Sequence, residues 1–206
     1  MDLSKISRRL SLHGVAAALT PWSPWSSRVE IDYASGSHHR GEIEGLAAAR
    51  IAIGVSAVVE LKPDSISALI DLAGTGIPVF LDSGAFAEID RQGVVRKPIT
   101  DALWHQKLGL YMVLASALGE QLSVVAPDRV GDQGETLLRL ARYRHQMAAV
   151  AAAGARVLVP VQRGRVEPAT FFGEQCDALG FEAVPALPLS AKVGMPPKDV
   201  AVFLGQ

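Results

Sequence analysis

Apolar and polar positions along the chain form blocks that predict strands followed by helices. Short apolar runs, typical of buried parallel strands, occupy 77–82, 122–126, 157–161 and 183–187. Segments with apolar residues at helical spacing lie between or beyond them, at 65–72, 101–118, 135–153, 168–179 and 197–204. An Ala/Ile/Val-rich segment at 43–59 predicts a buried helix followed by a short strand.

The repetition of strand-then-helix units predicts an α/β fold with a parallel sheet and right-handed crossovers. A doubly wound sheet and a (β/α) barrel of the TIM-barrel type both fit this order. Thr100 can cap the helix that begins at Asp101, and Gly119 can end it. The sequence has no G-x-G-x-x-G motif after a predicted strand, which argues against a dinucleotide site. It also lacks a P-loop and a G-x-S-x-G motif, which argues against a nucleotide-triphosphate site and an α/β-hydrolase site.

Composition indicates a globular chain, because 49% of its 206 residues are hydrophobic and 20% are charged. We expect one α/β domain over 1–206, with an irregular segment at 1–40 in which Pro21 and Pro24 interrupt any helix. Trp22 and Trp25 are more typical of core burial than of base stacking. The formal charge of -1 shows no overall basic excess that would indicate nucleic acid.

A disulfide framework and a multi-cysteine zinc site are excluded within this chain, since Cys176 is its only cysteine. The paired His38 and His39 have no second ligand cluster at metal spacing, so we expect a solvated loop rather than a metal site. No long apolar run follows the N-terminal basic residues, and the Ala-rich stretches are interrupted well before the roughly 20 residues of a membrane span. We therefore expect a soluble cytoplasmic protein.

Three successive predicted strands end in polar groups: Asp82-Ser83-Gly84, Asp128-Arg129 and Gln162-Arg163-Gly164. The ends of parallel strands lie at one edge of the sheet, so these side chains can converge on one small molecule. Two carboxylates and an amide suit a flat heterocycle with mixed donors and acceptors, such as a guanine-like base. The alternative is that each group only caps the turn that follows its strand.

The residues at these strand ends resemble the tRNA-guanine transglycosylases. The family's Asp-Ser-Gly-Gly-Phe signature is similar to Leu81-Asp82-Ser83-Gly84-Ala85-Phe86. Its second acidic strand end resembles Val125-Ala126-Pro127-Asp128, and its Val-Gln-Gly segment resembles Val159-Pro160-Val161-Gln162-Arg163-Gly164. The segment 126–133 looks closer to the branch that inserts 7-deazaguanine into DNA. The resemblance covers about residues 77–190.

This resemblance implies a (β/α)8 barrel that exchanges guanine for a 7-deazaguanine base in DNA or tRNA, with DNA favoured. It implies that Asp82 is the catalytic acid/base, and that substrate is bound by Ser83, Gly84, Phe86, Asp128, Gln162 and Gly164. A purine or 7-deazapurine base and a nucleic acid are the implied partners. No cofactor, metal or membrane is expected.

The chain also departs from the family pattern. Ala85 replaces the second glycine, and Ala87 stands where the family often has glutamine. The family's nucleophilic aspartate lies on a later strand, beyond Gln206. Four clear strands predict an incomplete or half barrel, which suits a truncated copy, half of a split enzyme, or a shorter fold that keeps only the binding half. A homo-oligomer or a complementing chain is the expected protein partner. A non-catalytic base-binding or partner subunit, or an unrelated α/β enzyme for a small polar substrate, are the alternatives.

Basic residues also cluster on the predicted helix at 135–153, where Arg139, Arg142, Arg144 and His145 follow one another closely. A solvated helix face is the favoured interpretation, and a path for nucleic-acid phosphates is the alternative. Arg163 and Arg165 add positive charge near the predicted strand ends.

Overall fold

One sheet of six parallel strands organises the computed structural model, which describes residues 31, 33–56, 61–90, 92–188 and 196–204. Each strand pairs with its neighbours in sequence, in the order β1 to β6. The strands are β1 (Tyr33–Ala34), β2 (Ala52–Ser56), β3 (Val79–Asp82), β4 (Leu122–Val125), β5 (Arg156–Pro160) and β6 (Val184–Ala186). Most of the predicted irregular segment at 1–40, including both prolines and both tryptophans, lies outside the described residues.

Six α-helices occur in the described part of the chain: α1 (Arg40–Ala48), α2 (Pro63–Ile70), α3 (Asp101–Leu118), α4 (Gln133–Ala152), α5 (Pro168–Leu179) and α6 (Pro197–Leu204). Short 3-10 helices span Ala85–Glu88 and Gly119–Gln121. None of the helices found among these residues is long and apolar enough to cross a bilayer.

The sequential strand order decides between the two topologies that the sequence allows. A doubly wound sheet needs a reversal of strand order at a switch point, whereas consecutive right-handed crossovers between adjacent strands keep all helices on one face. The observed order has no reversal among its six strands. The fold is therefore a partial barrel of parallel (β/α) units, which confirms the predicted fold class.

The two faces of the sheet differ in what they contact. Val79 and Leu81 of β3 are fully buried in a core built with helix residues such as Trp104 and Leu140. Successive strand residues point to opposite faces, so Asp82 points away from this core. The opposite face borders a cavity of about 470 Å³ whose lining includes residues of β1, β3, β4, β5 and β6. Asp82 therefore lies on the side of the sheet opposite this core, at the carboxyl edge.

Most predicted elements are confirmed, including the helix followed by a short strand in the segment 43–59. The helix there ends at Ala48, and β2 begins at Ala52. Arg50 between them takes a positive φ of 54°, which a helix interior does not allow. The β-branched residues of β2 then pair with β1 and β3 on both sides. The division of this stretch into a helix and a strand therefore falls at Arg50.

Candidate functional site

Asp82 is the last residue of β3, and the chain turns immediately after it. Gly84 adopts φ 75°, a left-handed conformation that favours glycine, and the 3-10 helix Ala85–Glu88 follows. The backbone N–H of Gly84 donates to Oδ2 of Asp82 at 3.2 Å. The carboxylate therefore has the capping contact that the sequence suggested, and it stays partly exposed.

The ends of β3, β4 and β5 are joined by a chain of side-chain hydrogen bonds. Ser83 Oγ donates to Oδ1 of Asp128 at 2.9 Å. Nε2 of Gln162 lies 3.4 Å from Oδ2 of Asp128 and donates to the carbonyl of Arg129 at 2.9 Å. The structure thus brings together three of the polar residues that the sequence placed at successive strand ends.

These three residues are buried, and they form a polar layer behind Asp82. Asp128 is 4% exposed and Gln162 is 1% exposed. Oε1 of Gln162 also accepts a hydrogen bond from the backbone of Gly131. Phe86, by contrast, is 45% exposed beside the turn. Asp82 and Phe86 are therefore the predicted site residues whose side chains solvent reaches in this conformation.

The acids of the site hold protons more tightly than ordinary carboxyls. Burial raises the pKa of Asp128 to about 7, and the negative charges of Asp82 and Glu88 act in the same direction. The Ser83 hydroxyl and the Arg139 guanidinium oppose this rise. Burial also raises the pKa of Asp82, against the Gly84 backbone N–H and the Lys107 ammonium group. Near neutral pH the site can therefore supply a carboxylic acid as well as a carboxylate.

Lys107 is a site residue that the sequence did not identify. It lies on α3, is 6% exposed, and its Nζ donates to the carbonyl of Ser83 at 3.1 Å. Burial lowers the pKa of Lys107, whereas the charges of Asp82 and Glu88 raise it. Its spacing along the helix could have indicated burial, because it shares the buried face of α3 with Trp104, Leu108 and Tyr111.

A buried ion pair between Glu88 and Arg139 lies next to Asp128. Two hydrogen bonds of 2.9 Å join Glu88 to the Nη1 and Nη2 atoms of Arg139. Arg139 also donates to the carbonyl of Asp128, and its guanidinium lies 5.6 Å from the ring centroid of Trp104. This contradicts the predicted solvated face for Arg139, which is 4% exposed, while Arg142 is exposed as expected. The reason is that Arg139 lies on the side of α4 that carries Thr136 and Tyr143.

Gly164 leaves room for the side chain that fixes the loop after β5. A Cβ atom at this position would lie 2.1 Å from Cδ of Gln133. The Nε2 atom of Gln133 donates to the carbonyls of Gln162 and Val166 at 3.2 and 3.1 Å, and its Oε1 accepts from the Val166 N–H at 2.9 Å. Gly164 thus contributes to loop packing within the chain itself.

The loops at this edge of the sheet carry exposed positive charge. Arg163 and Arg165 are exposed in the loop after β5, and Arg96 and Lys97 are exposed in the loop after the Ala85–Glu88 turn. Asp90 pairs with Arg96 at 2.8 Å. The edge is therefore suited to an anionic ligand larger than a single base.

The described residues contain no group of three or more His, Cys, Asp or Glu side chains that could hold a metal ion. The rings of His38 and His39 contact each other with centroids 4.1 Å apart and planes tilted by 46°, and His38 Nδ1 lies 2.9 Å from the Gly36 carbonyl oxygen. Both rings are accounted for by local contacts.

Fold and site together define an α/β protein with a partial parallel barrel and a buried acidic cluster at the carboxyl ends of its strands. No protein-family model matches the chain, and no curated protein sequence matches it significantly. The assignment of this chain to a particular family is therefore a proposal.

Proposed function

We propose that this protein is a transglycosylase-like protein that binds a guanine or 7-deazaguanine base of a nucleic acid and takes part in its exchange. The observation that carries the proposal is the hydrogen-bonded set of Ser83, Asp128 and Gln162 at three adjacent strand ends, with the partly exposed carboxylate of Asp82 beside Ser83. Barrel folds of parallel units place their catalytic groups at this edge. DNA is favoured over tRNA because of the motif at 126–133.

Asp82 is proposed to move the protons of this reaction. A carboxylate nucleophile attacks the sugar anomeric carbon, the bond to the old base breaks, and that base leaves with the proton of Asp82. The incoming base returns a proton to Asp82 and displaces the nucleophile. A raised pKa suits a group that must donate a proton near neutral pH. In the family that the chain resembles, the nucleophile is an aspartate on a later strand, and we assign that role to no described residue.

The surroundings of Asp82 support a nucleic acid as the carrier of the base. The exposed ring of Phe86 offers a stacking surface for a base that has been flipped out of its strand. Exposed cationic side chains in the loops at this edge, those of Lys97, Arg163 and Arg165, can contact the phosphates of a nucleic acid. A location in the cytoplasm stays a prediction from the sequence.

A second candidate is a base-binding or partner subunit without catalytic activity. The observation that favours it is that the buried side chains of Asp128 and Gln162 already make hydrogen bonds to groups of this chain. These two residues then have a structural role and take no part in chemistry. Such a site can hold Asp82 and Phe86 in place for recognition alone.

The test is incorporation of labelled 7-deazaguanine into DNA and into tRNA by the purified protein, expressed in its natural reading frame and with any chain encoded beside it. Asp82→Asn should abolish incorporation. Asp177→Asn, at an exposed carboxylate on α5, is the matched control and should leave it unchanged. Normal incorporation by Asp82→Asn would remove Asp82 from the mechanism.

Calorimetry with guanine and 7-deazaguanine separates the two candidates. Base binding without incorporation into either nucleic acid favours the binding subunit. A folded protein that neither binds the bases nor incorporates them refutes both proposals.

A further inference from the structure

We infer that Lys107 is a positioning residue of the Asp82 site, where its ammonium group holds the carbonyl of Ser83 and balances the carboxylate of Asp82. The inference rests on the proposed function, in which Asp82 gives up and regains a proton. It adds to that function a residue for which the resemblance gives no role.

The position of Lys107 in α3 is the first part of the argument. Its helical neighbours Trp104, Leu108 and Tyr111 are between 0% and 3% exposed and belong to the core. An ammonium group in such a place is costly unless polar groups compensate it. The Ser83 carbonyl, at 3.1 Å, provides that compensation at the turn after β3. The long stem of the lysine spans the distance from the helix to the turn, so its apolar carbons pack while its charge reaches the site.

The charges around Asp82 are the second part. The titratable and charged groups near this carboxylate come from several elements: Lys107 and Tyr111 on α3, Glu88 on the 3-10 helix, Asp128 after β4, and Arg139 on α4. Glu88 is bonded to Arg139 through both of its oxygens, so much of its charge is already balanced. Lys107 is the cation whose charge acts on Asp82 directly and opposes the effect of burial.

The consequence concerns the proton that Asp82 transfers. Once Asp82 has given its proton away, a bare carboxylate remains in a mostly buried site next to a second acid, Asp128. The Lys107 ammonium stabilises that charged state and keeps the Ser83 carbonyl, and with it the turn, in place. Removing the positive charge should therefore raise the pH at which Asp82 ionises, and the catalytic pH profile should shift with it.

The experiment is an NMR titration of the aspartate carboxyl carbons, with the Asp82 signal assigned from Asp82→Asn. We expect Lys107→Met to raise the Asp82 midpoint by about one pH unit, a tenfold change in proton affinity. Lys107→Arg should bring the midpoint back toward that of the wild type. Lys62→Met, at an exposed lysine, is the control and should leave it unchanged. If Lys107→Met does not fold, Lys107→Gln replaces it as the neutral variant.

The outcomes separate this inference from the proposed function, because the titration needs no nucleic acid. An unchanged Asp82 midpoint in a folded neutral variant overturns the role of Lys107, whatever the exchange assay shows. A shifted midpoint that Lys107→Arg reverses supports it, even if no exchange activity is found. A shift that Lys107→Arg does not reverse, accompanied by general chemical-shift changes in the core, assigns Lys107 to structure alone and also overturns it.

Discussion

The hydroxyl of Ser83 donates a hydrogen bond of 2.9 Å to Oδ1 of Asp128, although the two residues are 45 positions apart in the chain. This bond joins the ends of β3 and β4 in a region that is almost completely buried. It stabilises the ionised form of Asp128 against burial, which favours the protonated form. The charge state of Asp128 therefore depends on the turn after β3, which also carries Asp82.

Ser83→Ala should destabilise the protein more at pH 8 than at pH 5. The variant leaves an ionised, buried Asp128 without a donor at high pH, and such a loss costs about 1–3 kcal/mol. At pH 5 Asp128 is mostly protonated and depends less on that donor. Urea unfolding at the two pH values measures the difference. Ser67→Ala, at an exposed hydroxyl on α2, should show no such pH dependence. An equal loss for Ser83→Ala at both values would contradict the coupling.

The raised pKa of Asp128 predicts a stability that falls as pH rises. The folded value is about 7, against 3.8 for the unconstrained group, so the folded state holds a proton that the unfolded state releases between these values. Stability from this proton is fully present below about pH 4 and is lost as pH rises through about 7.

Asp128→Asn removes this titration and provides the measurement. From pH 5 to pH 8, the unfolding free energy of the wild type should fall by about 2–3 kcal/mol relative to that of Asp128→Asn. The comparison cancels titrations of groups that do not interact with Asp128. A constant difference over this range would show that Asp128 has no raised pKa.

How much of the fold the sequence predicts depends on whether local signals and tertiary packing agree. The bounds of α3 and α5 match the prediction, because Thr100 accepts from the Leu103 N–H at the start of α3 and Gly180 ends α5 in a left-handed conformation. β1 was not predicted, since two residues, Tyr33–Ala34, carry no readable periodicity. Their strand character comes from pairing with β2.

The same distinction holds for the site. The placement of Asp82, Asp128 and Gln162 at adjacent strand ends could be predicted, because they follow apolar strands and parallel strands bring their ends together. Glu88 and Arg139 were not found, because their contact spans 51 positions and depends on how α4 packs. A basic residue in a helix is usually solvated, and only tertiary structure reveals one that is buried.

The Glu88–Arg139 ion pair should be strongly coupled. Removing one partner leaves a buried charge with a single remaining ionic partner, which is Arg129 at 3.4 Å from Glu88 or Glu135 at 3.0 Å from Arg139. Glu88→Gln and Arg139→Met should therefore each cost about 3 kcal/mol. The double variant should cost clearly less than the two losses added together, because it removes both buried charges at once. Thermal and urea unfolding of the four proteins give the coupling energy. Arg142→Met, which breaks the exposed pair with Asp101, should have only a small effect. Additive losses for the buried pair would contradict this assignment.

Gly164→Ala should destabilise the loop after β5 through Gln133. The new methyl group would overlap Cδ of Gln133, so that side chain must give up hydrogen bonds to Gln162 and Val166 at a cost of about 1–3 kcal/mol. In a Gln133→Ala background the same change should be nearly neutral. Gly173→Ala, in open space on α5, is the control and should not destabilise. An equal cost of Gly164→Ala in both backgrounds would point to the backbone rather than to Gln133.

The exposed arginines after β5 provide the sharpest test of nucleic-acid binding, because the chain offers a second basic surface for comparison. If phosphates contact the edge of the sheet near Asp82, Arg163→Ala and Arg165→Ala should each weaken DNA binding and reduce the slope of log affinity against log salt by about 1. Arg144→Ala, on the exposed side of α4, should change neither quantity.

Fluorescence anisotropy with single-stranded and duplex DNA over a series of salt concentrations measures both the affinity and the slope. The opposite pattern, with Arg144→Ala reducing the slope and the two loop variants leaving it unchanged, would place the phosphates along α4. The proposed exchange requires the strand to contact the carboxyl edge near Asp82, so that result would also count against it. Equal slopes in all variants would show that neither surface binds the strand.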